Sequence, residues 1–214
     1  NITASGIVNN SGTLDIGSHT LSFASYSGTS DTVTVNGGTI TNTGTASTIE
    51  TLTVTGNASI KGGSGIKITS AISGGGSLST DNIVSLNGSL TDLTINSGST
   101  LSLNGDVTAQ NFSSATGTDI AGPHNLTITG DAVFGGAVGS VTALKSLSVS
   151  GTSAINADIT TTGAQTYTRA VTLGEDVELT ANDGSNNSTV TFNASIDGAK
   201  ELTITGDTTF SGIV

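Results

Sequence analysis

One phrase is written twice in this chain. Residues 125–139 read NLTITGDAVFGGAVG and residues 201–214 read ELTITGDTTFSGIV, so Leu126 and Leu202 lie 76 positions apart. Weaker echoes stand at LTVTG (52–56), LTINSG (93–98) and LSVSG (147–151). Self-similarity of this kind marks a repeat architecture, in which one supersecondary unit stacks on the next. The second copy stops in mid-phrase at Val214, which leads us to expect a segment of a longer, uncapped stack.

The period inside the phrase says more than the spacing between copies. Strand side chains alternate with period two, so Leu126 and Ile128 point one way while Thr127 and Thr129 point the other. The same register sends Leu52 with Val54, Leu93 with Ile95, Leu147 with Val149, and Leu202 with Ile204 to the inner side. Their outward neighbours are Thr, Ser or Asn. Other alternating runs, such as TVTVNGGTIT (32–41), VTLGEDVELT (171–180) and VTFNASI (190–196), are broken by Gly, Asn or Asp. No segment holds a helical period. The pattern is that of short strands and turns around a one-sided core.

Composition decides how such strands assemble. A β-sandwich fills the space between two sheets with bulky side chains. Here aromatics are 3%, Trp, Met and Cys are absent, and the 34% hydrophobic content is mostly small and aliphatic. Stacking the phrases in parallel, one coil per ~20 residues, sets each inner Leu, Ile or Val on its equivalent, with Asn at turns free to form ladders. The expected fold is all-β, a parallel β-helix of about ten coils and on the order of 50 Å long at ~4.8 Å per coil. A 76-residue spacing is too long for one coil and is expected to hold three or four. The echo spacings of 41, 33 and 21 residues call for insertions or weakly written coils. Residues 1–214 read as one continuous solenoid. A soft boundary falls at 121–125 around the only proline, Pro123, which also fits a plain turn. Disorder is disfavoured, because charge is only 10% and the alternation is strict.

The net charge of −11 reflects five bases against sixteen scattered acids. Without a basic stripe, neither nucleic acid nor an anionic lipid surface is an expected partner. No apolar run approaches the ~20 residues that span a bilayer. The absence of Cys excludes disulfides and thiolate metal sites, and suits a protein exported unfolded. No initiating Met or signal peptide precedes Asn1, so the natural N-terminus is expected elsewhere.

In the last ninety residues the wording becomes specific. The runs LTITGDAVFGGAVGSVTALKSLSVSG, TTTGAQTYTRAVTLGEDVELTA and VTFNASIDGAKELTITGDTTFSG resemble repeat segments of filamentous-haemagglutinin-like large adhesins of Gram-negative bacteria. Earlier phrases, VNNSGTLDIGSHTLSF and TVNGGTITNTG, are similar in style. The resemblance implies a right-handed β-helical shaft, export by a two-partner or autotransporter-like route, and roles in adhesion, aggregation or biofilm. The family's NPNGI-type secretion motif does not occur in these residues.

No catalytic, cofactor-binding or metal-ligating residue is assigned from the sequence. The sole arginine, Arg169, has no acid motif around it, as a β-helical lyase or hydrolase would require. Glu175, Asp176 and Glu178 form the densest acidic group. Alternation sends Glu175 to one face and the other two to the opposite one, as a solvated turn and strand edge that discourages pairing; a cation site is the alternative. Asp183 reads as a turn residue, and His19 and His124 as turn or surface histidines. Tyr26 and Tyr167 are a sparse platform for sugar rings, while Phe134, Phe192 and Phe210 are expected in the core. Sequons at Asn57, Asn125, Asn187 and Asn193 occur in an Asn/Ser/Thr-rich chain and signal glycosylation only weakly.

The function expected is that of a structural and adhesive shaft in an extracellular, cell-surface filament, without catalysis. Its partners would be neighbouring coils of a longer chain or identical subunits end to end, and surface glycans or proteins. The alternative is a self-assembling extracellular filament or sheath. Minor alternatives are a polysaccharide-active enzyme and an ice-binding solenoid. The last is suggested by the outward T-x-T pairs 51/53, 127/129 and 203/205, although Ser or Asn interrupts them at 148/150 and 94/96.

Overall fold

The computed structural model describes residues 1–10, 12–28, 31–45, 47–61, 66–73, 77–80, 84–95, 97 and 100–212. These form twenty-five strands and no helix. Every strand-to-strand ladder is parallel, and the molecule is a β-solenoid. Among the described residues the only antiparallel contact is an isolated bridge between Asn182 and Asn187.

Each turn of the solenoid contributes to three faces. In the turn beginning at Asn125, face 1 is Asn125–Ile128, face 2 is Ala132–Phe134 and face 3 is Ala137–Val138. Register then stacks each face on its counterpart one turn later. Leu126 lies on Leu147, Phe134 on Ile155, and Val138 on Ile159. One face 2 column runs Ile2, Leu21, Ile40, Ile60, Thr80, Ile95, Ser114, Phe134, Ile155, Leu173. That is nine turns, and a further turn sets Val171 on Ile196. Pairings between Val107–Ala109 and Leu126–Ile128, and from there to Leu147–Val149, carry the stack past Pro123.

The alternation in sequence predicts the burial. Leu52, Val54, Leu93, Ile95, Leu126 and Ile128 are all 0% exposed. Each inner aliphatic side chain contributes about 1.5–3 kcal/mol by leaving water. Because successive turns sit in register, side chains stack along the axis. Tyr167 lies on Phe192 with ring centroids 5.2 Å apart and planes at 12°, and Phe192 on Phe210 at 5.5 Å and 8°. Phe134 and Phe192 are buried as expected, but Phe210 is 47% exposed, since only its inner face meets a neighbouring ring.

The two halves turn their corners differently. In the first half single strands bend round corners, as in the fifteen-residue strand Thr100–Ser114, which serves all three faces. Register shifts mark those bends, for example between Leu86 and Gly88. From Asn125 onward the strands are two to five residues long and separated by turns, and their ladders have no register shift. Glycine makes some of these corners. Gly139 sits at φ 76°, and a Cβ there would strike the Thr160 carbonyl of the next turn.

Candidate functional site

The outward surface of face 1 is a ladder of hydroxyls. Thr34 stacks on Thr53, and farther along Thr108, Thr127, Ser148, Thr166, Thr191 and Thr209 follow one another turn by turn. β-branched Thr suits an outward strand position. From Thr34 onward these members are uncharged, while Asp15 stands in register one turn before Thr34. The doubled T-x-T pairs do not share this ladder, however. Thr127 and Thr129 stand on face 1, whereas Thr203 stacks on Glu178 and Thr205 on Thr180, on face 3.

The acids have structural work at the corners. Asn111 Nδ2 donates to Asp92 Oδ1 (2.8 Å), Asp131 N–H to Asn111 Oδ1 (3.2 Å), and both Thr152 N–H and Oγ1 to Asp131 Oδ1 (2.8 Å each). This mixed ladder joins four turns between faces 1 and 2. A second one holds Asn125 by its N–H and Nδ2 to Asp106 (3.0 and 2.9 Å), and Ser146 Oγ to Asn125 Oδ1 (2.7 Å). Asp158 and Asp176 accept the Glu178 and Glu201 N–H groups of the next turns. The carboxyls of Asp106 and Asp131 lie below the ordinary carboxylate range, chiefly because backbone N–H groups donate to the ionised form.

Two of the buried polar residues, Gln165 and Asp31, partner the tyrosines inside the core. Gln165, 0% exposed, accepts from Tyr167 Oη (3.0 Å) and donates through Nε2 to the Thr180 carbonyl (2.9 Å). Tyr26 Oη donates to Asp31 Oδ2 (2.8 Å), whose Oδ1 accepts the Glu50 N–H (3.0 Å). Both tyrosines are therefore core hydrogen-bond donors at 0–1% exposure, and neither offers a sugar platform. Alternation missed this because a Tyr at an inward position can be kept there by a polar partner hidden from the sequence. Burial pushes the Tyr167 hydroxyl pKa far above its usual value. Ser153 Oγ, by contrast, is buried with no partner.

The other candidates fall as follows. Glu175, Asp176 and Glu178 are all exposed, so Glu175 does not take the opposite side from its neighbours. Nor do they guard an edge, because Val177–Ala181 is paired on both sides. Glu175 pairs with Lys200 Nζ at 3.0 Å, and Glu178 Oε1 accepts Thr205 Oγ1 at 3.1 Å. Asp183 is a turn residue: its Oδ1 accepts the Ser185 and Asn186 N–H groups, which lower its carboxyl pKa. His19 lies in a turn, and His124 at a corner, 3.9 Å from Asp106. Among the described residues no three His, Cys, Asp or Glu side chains gather as a metal site would require.

One concave feature stands apart from these ladders. Ser150, Thr152, Thr168, Arg169, Ala170 and Ala194 line an open groove of about 520 Å³ at the corner between faces 1 and 2. A second, smaller one on face 3 is lined by Asp176, Val177, Glu178, Glu201 and Thr203. Comparison with protein-family models, with curated proteins and with solved structures returned no match.

Proposed function

We propose that the chain is a structural and adhesive shaft segment of a secreted bacterial cell-surface filament. The observation that supports this most is the unbroken parallel stack itself. Backbone ladders link every turn to the next, and the corner ladders of Asp, Asn, Ser and Thr add a second set of ties along the same axis. Such a quasi-one-dimensional body is stiff against bending and presents the same chemistry along its length. The hydroxyl ladder of face 1 supplies weak, repeated contacts that gain strength by multiplicity. The likeness of the last ninety residues to filamentous-haemagglutinin-type repeats points the same way.

Immunogold labelling of source cells with antibody to residues 1–214 tests this. Label along surface filaments is expected, and label confined to the cell interior would overturn the reading. Intact mass of the labelled polypeptide separates the two ways of building a filament. A chain far above 20.9 kDa fits a shaft segment, and one near that mass fits a polymerising subunit.

A further inference from the structure

The groove at the corner between faces 1 and 2 has a specific origin. Position by position, this corner stacks Asp92, Asn111, Asp131 and Thr152, and then Ala170 and Ser195. The polar ladder ends where Ala170 replaces a side chain able to continue it. Thr152 Oγ1 donates back to Asp131, and Ala170 has nothing to offer the turn above. The space left open is lined by the hydroxyls of Ser150, Thr152 and Thr168, with Ala170 and Ala194 as its apolar part.

Arg169 stands at this gap. It is the only arginine in a chain of net charge −11, it is exposed, and among the described residues no hydrogen bond or ion pair engages it. Asp131 is near enough to feel its charge, but the backbone and hydroxyl of Thr152 donate to that carboxylate instead. An unpaired guanidinium presents a planar fork of donors that matches a carboxylate in two parallel hydrogen bonds.

From this geometry we infer that the groove binds a sugar residue carrying one carboxylate, such as a uronic acid at the end of a glycan chain. Arg169 holds the carboxylate, and Ser150, Thr152 and Thr168 exchange hydrogen bonds with ring hydroxyls. A peptide is the poorer fit, because the groove has no aromatic or large apolar pocket to anchor a side chain. A polyanion is disfavoured by the chain's own negative field, so one charge per site is expected. The volume is within the range of small-ligand sites. The inference rests on the adhesive reading only for the source of the glycan; the site itself is independent of it.

The test is a titration of residues 1–214 with methyl glucuronide, methyl glucoside and acetate, followed by ¹⁵N–¹H chemical shifts at low and high salt. Shifts at 150–152, 168–170 and 194 are expected with methyl glucuronide, with a Kd on the order of 1 mM. They should weaken at least tenfold with methyl glucoside or in Arg169→Gln, and weaken at high salt. Arg169→Lys should retain part of the binding. Because the guanidinium has no partner, both variants should keep the wild-type unfolding midpoint. Three results would overturn the proposal: no shift at these amides, equal shifts with the neutral sugar, or acetate binding as tightly as the glucuronide. Binding here combined with an intracellular location would refute the adhesive reading and leave the site standing.

Discussion

The two copies of LTITG occupy different faces of the solenoid. The first, Leu126 to Gly130, lies on face 1 and stacks on Leu147 to Val149, with Leu126 and Ile128 fully buried. The second, Leu202 to Gly206, lies on face 3 above Val177 to Thr180, and Leu202 and Ile204 are only partly buried. The phrase thus recurs after three turns and two further faces, which is not a whole number of turns. Even the shared Gly-Asp tail diverges. Asp131 accepts the Thr152 N–H at a corner, while Gly206 adopts φ 148° and Asp207 opens a new strand on face 1. The three faces are interchangeable to such a phrase, because each offers the same outward solvent and the same aliphatic interior.

The sharpest way to break that comparison is to put the same charge into both copies. Ile128→Asp buries an unpaired carboxylate among aliphatic side chains and should cost on the order of 4 kcal/mol. Ile204→Asp, at a half-exposed position, should cost roughly half of that or less. Denaturant unfolding followed by amide exchange at each turn measures both, since a solenoid loses stability locally. Equal losses would mean that face and depth do not matter.

A smaller effect tests the polar interior above the first copy. Gln165→Leu should destabilise by roughly 1–3 kcal/mol, because it orphans the Tyr167 hydroxyl and removes a donor from the Ile159 and Thr180 carbonyls. Ser153→Ala removes an already unpartnered hydroxyl and should be neutral or raise stability by up to ~1 kcal/mol. Thermal unfolding distinguishes the two, and a destabilised Ser153→Ala would show a hidden partner.

The smallest effect belongs to the corners. Asp106 and Asp131 have folded-state pKa values below the ordinary 3.8. Their contribution is therefore fully present above the unfolded carboxylate pKa and is lost as pH falls through the lower folded values. Amide exchange at Asn125 and Thr152, corrected for its intrinsic pH dependence, should quicken below about pH 4 and be flat above it. Asp131→Asn should flatten the response at Thr152 alone.

Much of this was legible before any coordinates. The inward pairs, the parallel stacking and the count of about ten coils follow from period-two alternation, small apolar filling and repeated phrasing. Asp183 was legible as a turn residue because Asn and Gly cluster around it in ANDGSNN. The Arg169 groove was not legible: Ala170 reads as an ordinary small residue until Thr152 and Ser195 are known to lie one turn below and above it. The hydrogen bonds of the tyrosines were not legible for the same reason, since Gln165 and Asp31 gain meaning only as partners.

By itself the sequence determined that this chain makes strands, which side of each strand is buried, and that the strands stack in register. Those properties depend on neighbours two residues apart, and alternation records them directly. The tertiary structure decided which face each phrase occupies, which acids cap which corner, and where the polar ladder fails. Those depend on residues about one turn apart, and turn length here varies from 15 to 25 residues. A phrase repeated at 76 residues therefore fixes what kind of strand is built, while the lengths of the intervening turns fix where it is placed.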